Sequence, residues 1–243
     1  MKVFLLRQWF DTSIGGYYSP ITDGCIDLLP RPTPHGVHYR ELKAKCITGT
    51  LERYLPVDSL RIRSRHIPVS RALTTGCPMV EKGVYCDEQN RLGILGAGEG
   101  DYIVLTAGLA RYPKDFFKTR WRLQDIRRVM ERSSKALYII GYMEIAKKVD
   151  TRALGWSESI LIDPRLEPIG RIVEYKWKPV FYLSPAKGGR VLSEPVKIAV
   201  VERTGLKYIK PPGLPRFKSK YLRKTVLKGR TGENLVRYLE SLS

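Results

Sequence analysis

Residues 101–145 read DYIVLTAGLARYPKDFFKTRWRLQDIRRVMERSSKALYIIGYMEI and contain both strand and helix signals. Asp101–Leu105 and Ala136–Ile145 are apolar and rich in β-branched and aromatic residues, which predicts two strands. Between them, Arg120–Arg132 carries apolar side chains at helical spacing, which predicts an amphipathic helix. The apolar positions of this helix are Leu123, Ile126, Val129 and Met130.

Further strand signals lie on both sides of this stretch. Lys2–Phe10 is short and apolar and predicts a buried strand, and Leu60–Val69 alternates with period two, which predicts another. Shorter strands are expected at Ile160–Ile162, Gly170–Tyr175, Val180–Leu183 and Val196–Val201, and an amphipathic helix at Asn234–Leu242. Because strands outnumber helices, a doubly wound sheet is disfavoured. We expect an α+β fold, with a mixed, largely antiparallel sheet or partial barrel and few helices.

The composition is that of a strongly basic globular protein. The 243 residues include 43 Lys and Arg against 24 Asp and Glu, a net charge of +19, and 43% are apolar. Self-repulsion on this scale disfavours a compact chain unless a polyanion relieves it. Nucleic acid is therefore the expected partner, with an anionic membrane surface second. Because no apolar run approaches the length of a membrane span, we expect a cytoplasmic protein that has no membrane association.

The positive charge is concentrated in three blocks. Residues 38–71 carry a net charge of +5, residues 118–152 of +6 and residues 204–243 of +8, whereas residues 72–117 carry −2. Basic blocks that alternate with neutral or acidic ones are expected when particular surfaces of the protein bind an anion. The alternative is the generally charged surface of a heat-adapted protein, but that surface mixes Glu with Lys.

Each basic block supplies candidate nucleic-acid-binding residues. In Leu60–Val69, period two places Arg61, Arg63 and Arg65 on one face of the expected strand, at a spacing close to a single-strand phosphate step. In the helix of the second block, Arg127 and Arg128 lie outside the apolar stripe. In the third block, basic residues alternate with aromatic ones. In that arrangement the basic side chains can bind the phosphates of a nucleic-acid backbone while the aromatic rings stack on its bases. The candidates there are Phe217, Lys218, Lys220, Tyr221, Arg223 and Lys224. A solvated basic tail is the alternative for this last set.

The segment 11–18 (DTSIGGYY) is the candidate nucleotide site. Asp11 at the end of a strand, the Gly15-Gly16 pair and Tyr17 bring a carboxylate, backbone amides and a stacking ring together, a set that suits a base or a sugar. The alternative is a capped turn whose tyrosines pack on the core.

Other chemistry has little support in the sequence. The four cysteines (25, 46, 77 and 86) show no CxxC spacing, and no HExxH or histidine triad occurs, so no metal site is expected and no cofactor is indicated. Buried thiols are the expected state of the cysteines, and the alternative is a disulfide between Cys77 and Cys86 across a turn at Gly83.

Several short motifs resemble the nucleotide modification associated domain family, third type. The opening strand leads into Asp11, a Gly-Gly pair, an aromatic residue and a proline, as in that family. The matching segments are Lys2–Arg7, Asp11, Gly15–Tyr17, Pro20, Gly24, Leu29-Pro30, Gly100–Gly108, Leu137–Ile145 and Ser184–Ile198. A weaker likeness links the strands at 101–105 and 137–145 to PUA-like readers of modified bases.

The resemblance implies a domain organisation and a function. Residues 1–210 correspond to one α+β domain with a basic insertion at 38–71, and residues 211–243 form a basic C-terminal segment that ends in a helix. Asp87 corresponds to the family's acidic motif, and the family's histidine-containing stretch has no counterpart here. The family is associated with systems that modify or read bases in DNA. Asp11 and Asp87 are therefore the acids expected for base contact or acid–base chemistry.

Three functions follow from these patterns. The first is a nucleic-acid-binding protein that reads or modifies bases, with phosphates on the basic blocks and a nucleotide near Asp11–Tyr18. The second is a nuclease or nucleotide-modifying transferase, for which no metal or cosubstrate motif is found. The third is a basic ribonucleoprotein scaffold that binds nucleic acid through its charge alone and has no catalytic role.

Overall fold

The computed structural model describes residues 1–7, 9–10, 14–33, 36–62, 65–74, 80–87, 90–113, 115–167, 179–185, 189–202, 205–209 and 225–242. Within these ranges the strands are β1 (Lys2–Arg7), β2 (Ile14–Gly15), β3 (Ser19–Thr22), β4 (Cys25–Ile26), β5 (Val37–His38), β6 (Ser59–Ile62), β7 (Arg65–Pro68), β8 (Leu73–Thr74), β9 (Val84–Asp87), β10 (Tyr102–Arg111), β11 (Lys135–Glu144), β12 (Lys147–Asp150), β13 (Val180–Leu183), β14 (Gly189–Glu202), β15 (Gly205–Tyr208) and β16 (Thr225–Lys228). The helices are α1 (Arg91–Ile94), α2 (Leu123–Arg132), α3 (Thr151–Leu154), α4 (Trp156–Ile162) and α5 (Arg230–Glu240).

The central element is an eight-stranded sheet built around β10. Its order is β15-β14-β11-β10-β1-β16, and β3 also pairs with β10 and carries β4. β10 is antiparallel to β11 and parallel to both β1 and β3, which follow one another along the same edge of β10. Eight consecutive residues of β10, 103–110, are buried, as expected of a strand covered on both faces. The α+β prediction is confirmed, and none of the described sheets closes into a barrel.

Alternate residues of the central strands enter two different cores. Val3, Leu5 and Val104 lie on the face that packs against α5 through Leu235 and Leu239. The opposite face of the same strands packs on the three-stranded sheet β12-β13-β9. The boundary expected between residues 210 and 211 lies outside the described residues, but beyond it β16 pairs with β1, so that this last part of the chain joins the main sheet.

α2 covers a third, aromatic core. Leu123, Ile126 and Met130 are buried there, which confirms the predicted helix and its apolar stripe. Rings from distant parts of the sequence surround them, including Tyr17, Tyr39 and Tyr54.

Two predicted strands have a different structure. Ile160–Ile162 belongs to α4, because the partly buried Trp156 and Ile160, four positions apart, pack against the core beneath β13. A three-residue apolar run cannot distinguish a strand from the end of a helix. Leu60–Val69 is not one strand but two antiparallel strands, β6 and β7, which pair as a hairpin. Gly170–Tyr175 lies outside the described residues.

The structure contains a disulfide that was not expected. Cys25 and Cys46 are bonded, with their Cα atoms 5.5 Å apart and 21 positions between them in sequence. The expectation of thiols at these two positions is therefore wrong. Cys86 is buried, and Cys77 lies outside the described residues, so the suggested pairing of these two stays a prediction.

Candidate nucleic-acid interface

A groove lined by three arginines lies where β10 ends and α2 turns into β11. Arg111 is the last residue of β10, and Arg128 and Arg132 stand one turn apart at the end of α2. With Ser133, Ser134 and neighbouring residues they line a cavity of about 540 Å³, which we call the arginine groove. The backbone N–H of Arg111 donates to the carbonyl of Ser134 (3.2 Å), which fixes the end of the strand beside the end of the helix.

The groove has an excess of positive charge. All three arginines are exposed, and none makes an ion pair within 4.0 Å among the described residues. The residues that line the groove include no Asp or Glu. Like charges at i and i+4 on a helix destabilise it by about 0.2–0.5 kcal/mol. An anion bound between Arg128 and Arg132 would remove this repulsion between the two guanidinium groups. Arg132 alone has a second role, since a cation in the last turn is favoured by the helix dipole.

Tyr138 is the aromatic residue that Arg111 influences, but it does not line the groove. Burial raises the pKa of the half-buried Tyr138 phenol, and the positive charge of Arg111 opposes that rise. Tyr138 is on β11 and faces the same side of the sheet as Arg111, because it pairs with Ala107 of β10. Tyr138 packs against the core between the central sheet and β12-β13-β9, on the face of β10 opposite to the one that α2 covers.

Arg127 and Arg128 are exposed on the outer face of α2, as predicted. Arg128 lines the arginine groove and Arg127 does not. Arg111 and Arg132 are not among the residues that the sequence patterns single out. The i, i+4 spacing of Arg128 and Arg132 is a local signal, but the approach of Arg111 depends on how β10 packs beside α2.

The predicted arginine ladder of the first basic block is not formed. Ile62 pairs with Arg65 and Arg61 pairs with His66 in the β6–β7 hairpin. Because directly opposed residues share a face, Arg61 and Arg65 point to opposite faces of the hairpin. The expectation of one basic face is wrong for these two residues, and Arg63 lies outside the described residues.

Tyr17 is a core residue. Its side chain is 0% exposed, its hydroxyl donates to the carbonyl of Tyr54 (2.6 Å), and its ring contacts Phe10 and Trp121 edge to face. Burial raises its phenol pKa well above the usual value. No ring face is left for stacking on a base, so the predicted role of Tyr17 is wrong and the alternative of a packed turn is the observed one. Asp11 lies outside the described residues.

Asp87 ends β9 and is only 5% exposed. Its Oδ2 accepts a hydrogen bond from the backbone N–H of Leu92 (2.6 Å), which holds α1 against the strand. The neighbouring Tyr182 hydroxyl is buried and has no hydrogen-bond partner among the described residues, and burial together with Asp87 and Asp150 raises its pKa far above the usual value. Asp87 therefore stabilises the fold at this position and does not face the arginine groove.

The remaining predicted residues, Phe217, Lys218, Lys220, Tyr221, Arg223 and Lys224, lie outside the described residues. Within the described part of the chain, no group of three or more His, Cys, Asp and Glu side chains is placed to hold a metal ion, and no helix is long and apolar enough to cross a membrane. Comparison with protein-family models, curated proteins and solved structures finds no match to this chain. The resemblance to the nucleotide modification associated domain family therefore stays a prediction.

Proposed function

We propose that the protein binds nucleic acid and that the arginine groove holds phosphates of the backbone. The observation that carries this proposal is the set of three exposed arginines, without a carboxylate among them, around one cavity of about 540 Å³. The net charge of +19 supports it, because that charge favours association with a polyanion.

The role of the protein in reading or modifying bases rests on the family resemblance. In that form of the proposal, Asp11 contacts the base while the arginine groove anchors the backbone. Asp11→Asn then abolishes any preference among bases and leaves non-specific affinity unchanged. Binding that depends on salt but shows no preference among bases supports the ribonucleoprotein scaffold instead.

Fluorescence anisotropy with labelled single- and double-stranded DNA and RNA, titrated from 50 to 200 mM salt, tests the proposal. Each phosphate contact contributes about 0.9 to the slope of log K against log salt for duplex DNA. The triple variant R111A/R128A/R132A should therefore lower this slope by about 2.7 and weaken binding at 0.1 M salt about 500-fold.

A matched control removes the same charge elsewhere. Lys147, Lys148 and Arg237 are exposed on β12 and α5, and the variant K147A/K148A/R237A has the same net charge as the groove variant. The proposal requires the control to keep nearly the wild-type slope. Equal losses in the two variants would show that net charge, and not the groove, determines binding. No binding by the wild-type protein at 50 mM salt would refute the proposal altogether.

A further inference from the structure

A second cavity, of about 410 Å³, lies on a different part of the molecule and shares no lining residue with the arginine groove. One wall is an irregularity in β14. Gly141 of β11 pairs with Val191 and Ile139 pairs with Val196, so that four residues of β14, 192–195, face the single residue Ile140. The extra residues bend β14 away from its neighbour, as bulges do beside binding sites. We call this space the bulge cavity.

Two residues match this irregular geometry. A Cβ on Gly141 would lie 2.4 Å from the carbonyl oxygen of Arg190, so the strands approach closely only because residue 141 is glycine. Pro195, inside the bulge, has no N–H to pair with β11. The bulge is thus specified by the sequence.

The opposite wall is held rigidly. It consists of residues 24–30 and 42–51, which the Cys25–Cys46 disulfide joins. Asp27, 2% exposed, accepts hydrogen bonds from the backbone N–H groups of Lys45 (2.8 Å) and Cys46 (2.9 Å) and from the Tyr54 hydroxyl (2.7 Å). A wall that is already ordered loses little conformational freedom on binding, which favours a ligand site.

The lining combines an apolar floor with a basic rim. Leu51, Ile140 and Leu192 are buried in the floor, and Trp9 contributes a largely buried ring. Lys43 and Lys45 are exposed on the rim and make no ion pair within 4.0 Å among the described residues.

Of the two acidic residues in the lining, Asp27 already accepts three hydrogen bonds, and Glu81 is exposed.

Trp9 has φ 65°, a left-handed backbone conformation that costs a bulky residue about 1–3 kcal/mol. Such strained conformations cluster at ligand sites.

We propose that the bulge cavity binds a small organic anion, whose apolar body occupies the floor and whose charged group meets Lys43 and Lys45. The volume falls in the range of about 300–1,000 Å³ that is usual for small-molecule sites. This inference goes beyond the proposed function and does not depend on it, because the two sites are formed by different residues.

The probe is 1-anilinonaphthalene-8-sulfonate, an aromatic body with one sulfonate, and its matched neutral analogue is N-phenyl-1-naphthylamine. Fluorescence titration of the folded protein should show saturable binding of the sulfonate, about tenfold tighter than that of the neutral analogue, which corresponds to about 1.4 kcal/mol for the charge contact. The variant K43A/K45A should bind the two probes equally. The variant S193W, at an exposed position of the rim, should block both probes.

Two controls locate the site. K147A/K148A removes two lysines elsewhere and should change the affinity less than twofold. R111A/R128A/R132A should also bind the sulfonate normally, even though its affinity for nucleic acid is expected to be lower. The inference is overturned if the wild-type protein does not bind the sulfonate, if S193W binds it unchanged, or if the arginine-groove variant loses it.

Discussion

The buried carboxylate of Asp27 gives the sharpest prediction about stability. Its two oxygens accept three hydrogen bonds, two from the backbone of residues 45 and 46 and one from the Tyr54 hydroxyl. Burial and the Asp27 carboxylate raise the pKa of the Tyr54 phenol well above the usual value, so the phenol remains a donor at every ordinary pH. The substitution Asp27→Asn keeps the shape of the side chain but replaces one oxygen by an N–H donor.

The expected cost follows from the donors that lose their acceptor. In the most favourable orientation the new amide N–H faces the Lys45 backbone N–H, which loses a charge-assisted hydrogen bond of about 1.5–3 kcal/mol. The other two bonds weaken because their acceptor is no longer charged. We expect a loss of about 3 kcal/mol in the free energy of unfolding, or ~6–12 °C in Tm for a chain of this length.

Urea unfolding followed by circular dichroism measures the change directly. Tyr54→Phe is the matched control, since it removes one donor and should cost about 1 kcal/mol. In the double variant the two effects should not add, because the variants share a hydrogen bond. A loss of less than 1 kcal/mol in Asp27→Asn would refute the view that this carboxylate holds residues 42–51 in place.

Three further predictions concern stability. Replacing Cys25 and Cys46 by serine opens a loop of 21 residues and should lower the free energy of unfolding by about 3 kcal/mol in non-reducing urea titrations; an unchanged midpoint would contradict this. Tyr182→Phe removes a buried hydroxyl that has no partner among the described residues and should raise the free energy of unfolding by about 1–3 kcal/mol; a clear loss of stability would mean that the hydroxyl is bound. Hydrogen bonds from Arg165 hold the pKa of the Asp163 carboxyl below its usual 3.8. The ionised carboxylate therefore stabilises the fold above pH 3.8, and this contribution to stability is lost as the pH falls through the lowered pKa. Asp163→Asn should therefore flatten the acid side of the stability profile, and a profile as steep as that of the wild-type protein would exclude this contribution.

The sequence predicts those parts of the fold in which a pattern extends over many residues. β10 and β11 are apolar and rich in β-branched and aromatic residues, and α2 has an apolar stripe at helical spacing, so the sequence predicts all three. β10 continues to Arg111, six residues beyond the predicted Asp101–Leu105. The prediction of one strand at Leu60–Val69 is wrong because two short paired strands, β6 and β7, preserve the alternation of one longer strand. Nothing in the local sequence distinguishes the two, and only the pairing of Ile62 with Arg65 reverses the arginine faces.

The candidate sites depend on contacts that local sequence does not encode. The glycine pair and the tyrosine next to Asp11 predict that Tyr17 stacks on a base. Its ring instead fills the core beside Trp121, 104 positions away in sequence. Arg111 and Arg128 come together because α2 leads directly into β11, whose first residues pair with the last residues of β10. The Cys25–Cys46 bond likewise follows from the packing of residues 42–51 against 24–30.

Footprinting of arginines locates the nucleic acid on the protein. Phenylglyoxal modifies exposed guanidinium groups, and mass spectrometry gives the rate at each position with and without a saturating oligonucleotide at 50 mM salt. If the arginine groove holds phosphates, modification of Arg111, Arg128 and Arg132 slows severalfold when the oligonucleotide is bound, while that of the exposed Arg237 does not change. Unchanged rates at the three groove positions, with the oligonucleotide shown to be bound, would contradict the proposed function of the groove.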